Sequence, residues 1–177
     1  MNILMGKSIT AKYENCVEVS IQEMFDLANN VDLKDLTLKC KNEADKAKRR
    51  NVKLTMPVFY PCIDTTQKEH KVSNGVFQFD LDLEDNEETD FLTLRQQLEQ
   101  QECVLYVMQS PSGGLKFAIQ TDFHETVGQD TLTCKQAYKV AHRLITKFVQ
   151  KKCGYFANDD AVEKTSQSCI LAYDSET

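Results

Sequence analysis

The sequence predicts a single α+β domain spanning residues 1–177, and three observations carry that prediction. A chain of 177 residues has the size of one ordinary domain and can bury a sizeable core. Hydrophobic residues make up 41%, the proportion of a folded globule rather than a disordered chain. Strict two-residue alternation over residues 76–83 and a long helical period over residues 134–152 occur in the same chain.

Each element follows from local signals. Residues 1–7 lack a basic region ahead of an apolar core, so they read as a short strand and not a signal peptide. Ser20 and Glu23 form a capping-box pattern, with Val19 placed to staple onto Met24. That helix should run to about residue 30 and bury Ile21, Met24, Phe25 and Ala28. A second helix is expected over residues 33–50, strongly charged from residue 41 onward. Residues 54–60 are apolar and contain Pro57, which suits an edge strand or the start of one.

Residues 76–83 form the clearest strand, with Phe77, Phe79, Leu81 and Leu83 on one face. Thr89 and Asp90 open a helix carrying Phe91, Leu94 and Leu98, ending near Gln101. Two strands, 103–109 and 115–120, are joined by a turn rich in Ser, Pro and Gly. The helix over 134–152 should bury Tyr138, Ala141, Ile145 and Phe148. Its opposite side carries Lys135, Lys139, Arg143, Lys147 and Lys151. A last strand is expected over 169–173. The ending at 174–177 suggests a domain cut from a longer protein.

Composition narrows the class. No stretch approaches the roughly 20 apolar residues of a membrane span, so no membrane partner is expected. The seven cysteines are scattered without a Cys-x-x-Cys pair. They read as reduced, mostly buried thiols in a cytoplasmic compartment and argue against structural zinc. His70, His124 and His142 have no metal-ligand spacing. The net charge of −6 does not favour a protein that coats nucleic acid, so only local basic clusters would serve that purpose.

Three segments carry chemistry. In Phe79-Asp80-Leu81-Asp82 the two carboxylates point to one side of a strand and form half of a site for Mg²⁺ or Mn²⁺. The competing reading is a solvated polar face shared with Gln78, and sugar-nucleotide transferases also use this short motif. In the segment 110–117, Ser112, Gly113 and Gly114 make a turn whose amides could approach an anion, and Lys116 could hold a phosphate. An ordinary hairpin with a surface lysine explains the same residues. Asp159 or Asp160 could complete the metal site if the chain folds back beside the acidic strand, although loop aspartates are common.

Taken in order, Phe-Asp-Leu-Asp, Ser-Pro-Ser-Gly-Gly-Leu-Lys, a long helix, Asn-Asp-Asp and a strand ending Ala-Tyr-Asp resemble the N-terminal domain of virulence-associated E proteins. That group lies within the archaeo-eukaryotic primase-polymerase superfamily, and the resemblance covers about residues 45–174. It implies a palm related to the RNA-recognition-motif fold, with an antiparallel or mixed sheet packed against helices. It further implies a metal-dependent nucleotidyltransferase that makes primers or DNA from nucleoside triphosphates on a single-stranded DNA template. Such domains are often fused to a helicase in phage, plasmid or mobile-element replication proteins.

Carried over by residue, Asp80, Asp82 and Asp159 would be catalytic, and Asp160 would stand beside them as a further metal ligand. Ser112, Gly113, Gly114 and Lys116 would bind the nucleotide. Lys116 stands where many relatives have His, and Gln167 where an Arg often precedes the last strand.

The template would need a basic surface. The candidates are Lys48, Arg49 and Arg50, with Lys46 and Lys53 beside them, and the helical face containing Lys139 and Arg143. Phe59, Tyr60 and Tyr155 could stack on bases. Three rival functions share these residues: a non-catalytic nucleotide or single-stranded-DNA-binding module, a metal-dependent nuclease, and an interaction domain.

Overall fold

A computed structural model describes residues 1–10, 15–65, 73–122, 131–164 and 166–175. The elements run β1 (Asn2–Gly6), β2 (Val17–Ser20), α1 (Ile21–Ala28), α2 (Val31–Asn42), α3 (Lys46–Thr55) and β3 (Val58–Tyr60). They continue with β4 (Val76–Leu81), α4 (Phe91–Glu99), β5 (Val104–Gln109), β6 (Leu115–Gln120), α5 (Thr131–Cys153), a 3-10 turn (Asp160–Val162) and β7 (Cys169–Ile170). The architecture is α+β, with antiparallel sheets packed against helices. One sheet was expected and there are two, ordered β2-β1-β3-β7 and β4-β6-β5, because β3 pairs with β1 and β7 rather than with β4.

The sheets meet through side chains of β3, β4, β5 and β7. Phe59 sits edge-on to Tyr106 at 5.7 Å, and the Cys169 thiol donates to Gln78 Oε1. The other face of β4 and β6 lies under α5. Phe77 stacks on Tyr138 at 4.5 Å, Phe79 stacks on Phe117 at 4.4 Å, and the His142 ring lies 4.8 Å from Phe79. Strand β4 is therefore covered on both sides, and Gln78 is fully buried instead of sharing a solvated face. Its amide donates to the Gln167 carbonyl, which satisfies a polar group that would be costly to bury alone.

Several local expectations need correction. Residues 33–50 form two helices, not one. Glu43 and Asp45 are extended, and the Asp45 carboxylate caps α3 by accepting from the Ala47 and Lys48 amides. Strand β2, which places Val19 opposite Ile3, was not foreseen. Pro57 does precede a strand, but β3 lies inside its sheet and not at the edge. Strand β4 ends at Leu81, leaving Leu83 exposed. Helix α5 is rotated from the expected stripe: Tyr138, His142 and Val149 are buried, whereas Phe148 is 58% exposed.

The capping box at Ser20 and Glu23 is present. His70 and His124 lie outside the described residues. Among the described residues, no helix is long and apolar enough to cross a membrane.

Candidate functional site

The site is built at the end of β4. Asp80 lies directly opposite Lys116 in the β4–β6 ladder, so their side chains leave the same face and meet. The Lys116 ammonium pairs with Asp80 Oδ2, and Lys116 is only 5% exposed. It is therefore engaged inside the domain, not displayed on a polar strand face. Burial works to lower the Lys116 pKa, but the Asp80 carboxylate, with Asp82 further off, holds it above its ordinary value. The second oxygen, Asp80 Oδ1, is buried and has no hydrogen-bond partner among the described residues.

Asp82 stands one residue beyond the strand. Its pKa is raised by partial burial and then by the neighbouring Asp80 charge, with Asp159 adding to the same effect. Lys116 and Lys53 oppose that rise without cancelling it. The Asp82 carboxyl is thus harder to ionise than usual where β4 ends.

The chain does fold back beside this strand. The Asp159 amide donates to the Asp80 carbonyl at 3.0 Å, and the Asp80 amide donates to Asn158 Oδ1 at 3.0 Å. The Asp159 carboxylate itself accepts from the Ala161 amide and caps the 3-10 turn. Asp160 is exposed in that turn. Asn86, 4% exposed, donates to the carbonyls of Asp82 and Ala157 and accepts from the Ala157 amide. Sequence reasoning assigned no role to Asn86 or Asn158, since asparagine in loops is common and only their long-range hydrogen bonds distinguish these two.

The turn after β5 behaves differently from the amide cradle expected of it. The Gly113 amide donates to the Ser110 carbonyl and the Gly114 amide to Ser110 Oγ, so both are engaged within the turn. The glycines answer backbone demands. Gly113 has φ +94°, and a Cβ on Gly114 would lie 2.1 Å from the Leu81 carbonyl oxygen. Ser112 faces outward, and its hydroxyl accepts from Lys53 Nζ at 3.3 Å.

Beyond Ser112 opens a pocket of about 520 Å³. Its basic wall is formed by Lys41, Lys46, Arg49, Arg50 and Lys53 from α2 and α3, and Asp82, Glu84 and Asp85, which follow β4, also line it. Arg49 and Arg50 thus share this pocket, while Lys48 does not line it. Lys41 escaped the sequence reading, although the i, i+3, i+7 spacing of Lys46, Arg49 and Lys53 was a usable signal for one basic face.

The other basic surface is tied down. Lys139 and Arg143 on α5 both pair with Glu163, at 3.2 and 2.7 Å. Burial raises the Glu163 pKa, but hydrogen bonds from Arg143 and Lys139 outweigh it and hold the carboxyl below its usual range. Of the rings considered for base stacking, Phe59 and Tyr60 are buried in the sheet and cannot stack on bases, whereas Tyr155 is 79% exposed.

Among the described residues, no group of three or more His, Cys, Asp or Glu side chains could hold a metal ion. The donor chemistry of Asp80 and Asp82 nonetheless suits a hard divalent cation, and the partnerless Asp80 Oδ1 is an acceptor that such an ion would satisfy. The fit is that of a two-carboxylate site, whose other ligands would be phosphate and water oxygens.

Comparison with curated proteins and with solved structures returned no match. A family model, the BT4734-like N-terminal domain, matches residues 51–177. This match overturns the resemblance to the N-terminal domain of virulence-associated E proteins, which rested on the order of short motifs. It extends over more than two thirds of the sequence, and the chain belongs to the family of BT4734-like N-terminal domains.

Proposed function

We propose that this domain binds nucleoside triphosphates together with Mg²⁺ or Mn²⁺ and transfers nucleotidyl groups, extending DNA or a primer on a single-stranded template in replication. The observation that carries the proposal is the junction at the end of β4. There the Asp159 amide is bonded to the Asp80 carbonyl, next to Asp82 and to an Asp80 Oδ1 without a hydrogen-bond partner among the described residues. A palm-type fold belongs to the proposal, because such folds present carboxylates from the ends of antiparallel strands.

A bound divalent cation would supply charge neutralisation at the attacking 3′-hydroxyl and at the leaving pyrophosphate. The protein's own part is to hold and orient. Asp80 would offer one oxygen to the cation while Lys116 fixes the other. Asp82 would share the cation, and Asp159 stands close enough to act on the Asp82 carboxyl. No unusual pKa is required, since alignment and electrostatics do the chemistry.

A second reading, a nucleotide-binding module without catalysis, is favoured by one observation. Lys116 already neutralises Asp80 and, among the described residues, no third His, Cys, Asp or Glu joins the pair in a metal-holding group.

Calorimetric titration of dATP with Mn²⁺ into wild-type protein, Asp82→Asn and Asp80→Ala/Asp82→Ala tests the proposal. Metal-dependent binding that both variants lose is expected, followed by template-directed extension by wild type alone. Binding without extension would support the module, and no metal-dependent binding in folded wild type would sink both readings.

A further inference from the structure

We infer that the basic wall formed by α2 and α3 is a polyphosphate-binding subsite that takes the triphosphate of a nucleotide. The inference rests on the proposed function only in naming the nucleotide. The binding of polyphosphate as such follows from the wall itself.

The first argument is an excess of positive charge. Five cations line the pocket, and Lys46 pairs with Glu84 at 2.9 Å. Among the described residues, Lys41, Arg49, Arg50 and Lys53 have no carboxylate within ion-pairing distance. Arg49 and Lys53 are half-buried and four residues apart on one face of α3, a spacing at which like charges repel. Five cations against the carboxylates of Asp82, Glu84 and Asp85 leave the pocket lining net positive in a chain whose net charge is −6, which points to an anionic ligand.

The second argument is orientation. The Arg49 Nε donates to the Glu43 carbonyl at 3.0 Å, which holds the guanidinium in place and leaves its terminal nitrogens to other acceptors. Lys53 rests on the Ser112 hydroxyl, so helix and turn converge on the same point. Helix α3 buries no residue, so the core does not explain its side-chain pattern.

The third argument is place. The pocket, at about 520 Å³, is of small-molecule size and has Asp82 in its lining. A triphosphate lying along the wall would bring its phosphate oxygens to the carboxylates that offer a cation its protein ligands. The wall also replaces the cradle expected of Gly113, Gly114 and Lys116, whose amides and ammonium are already engaged. Four of its five cations, Lys41, Lys46, Arg49 and Arg50, precede the matched family region 51–177.

Calorimetric titration of inorganic tripolyphosphate into the 177-residue chain, without divalent metal, tests the inference. Binding is expected to weaken roughly tenfold in Arg49→Ala and in Lys53→Ala, as loss of one charge-assisted contact implies. Lys41→Gln, an exposed position that puts folding at no risk, should weaken it in the same direction. Lys139→Ala on α5 should change nothing. Asp80→Asn/Asp82→Asn should retain binding, which separates this subsite from the metal-dependent reaction. Unchanged affinity in the α2 and α3 variants would overturn the inference. So would displacement of tripolyphosphate by an oligonucleotide without a 5′-phosphate, since the wall would then serve a nucleic-acid backbone.

Discussion

Helices α3 and α5 look alike as sequence: each carries Lys and Arg at helical spacing along one face, and either could serve an anionic ligand. Their surroundings separate them. On α5, Lys139 and Arg143 close on the buried Glu163. The same happens within the sheet, where Lys116 closes on Asp80. On α3, Arg49, Arg50 and Lys53 face a pocket with no such partner among the described residues. A cation answered from within the fold serves stability, and one left unanswered at a concave surface is available to a ligand.

The comparison breaks most visibly at Lys116. Asp80→Ala should cost about 3–5 kcal/mol in urea denaturation, because it leaves a buried ammonium unpaired. Asp80→Ala combined with Lys116→Met should recover much of that loss. A double variant no better than the single one would show that Lys116 is not held by this pair.

Glu163→Gln sharpens the comparison on α5. Stability should fall by about 1–3 kcal/mol, the range for losing hydrogen bonds to a charged group. Lys139 and Arg143 would also be freed, so binding of a single-stranded oligonucleotide should strengthen and become more sensitive to salt. Unchanged binding by fluorescence anisotropy would mean that freed cations alone do not make a nucleic-acid surface.

The inner side of α5 gives a smaller, pH-dependent effect. Burial lowers the His142 pKa, and a hydrogen bond to the Gln78 carbonyl opposes this without cancelling it. The unfolded chain therefore takes up this proton more readily than the folded one. The stability owed to neutral His142 is present above the unfolded value near 6.5 and is lost as pH falls below it. Melting temperature should drop between pH 7 and pH 5, and His142→Gln should flatten that drop. An equal drop in the variant would assign it to other groups.

The smallest stability effect is expected on α3. Arg49→Ala/Lys53→Ala should leave the urea midpoint unchanged or slightly raised, since two like charges are separated. A clear loss of stability would mean that α3 cations, like those of α5, serve the fold.

Much of the local structure was legible in the residues themselves. Period-two alternation marked β4, Ser20 with Glu23 marked the start of α1, and the Ser-Pro-Ser-Gly-Gly run marked the turn between β5 and β6. Asp80 and Asp82 also stood out by their two-residue spacing on a strand, whereas Asp159 was a weaker signal, since loop aspartates are common and this one caps a 3-10 turn. These signals are short-range: they depend on backbone propensity and on side-chain direction within a few residues.

Partnership is not short-range, and the tertiary structure alone decided it. No spacing rule links Lys116 to Asp80, Glu163 to Arg143 or Lys53 to Ser112, because each pair is set by strand register or by the packing of separate elements. Register put Lys116 against a carboxylate and withdrew it from the surface. Hydrogen bonds with Asp80 tie Asn158 and Asp159 to β4, and the break at Asp45 separates α3 from α2, with cations of both lining one pocket. The identity of a charged residue is written in the chain, but whether its charge is already answered depends on distances that only the packed fold determines.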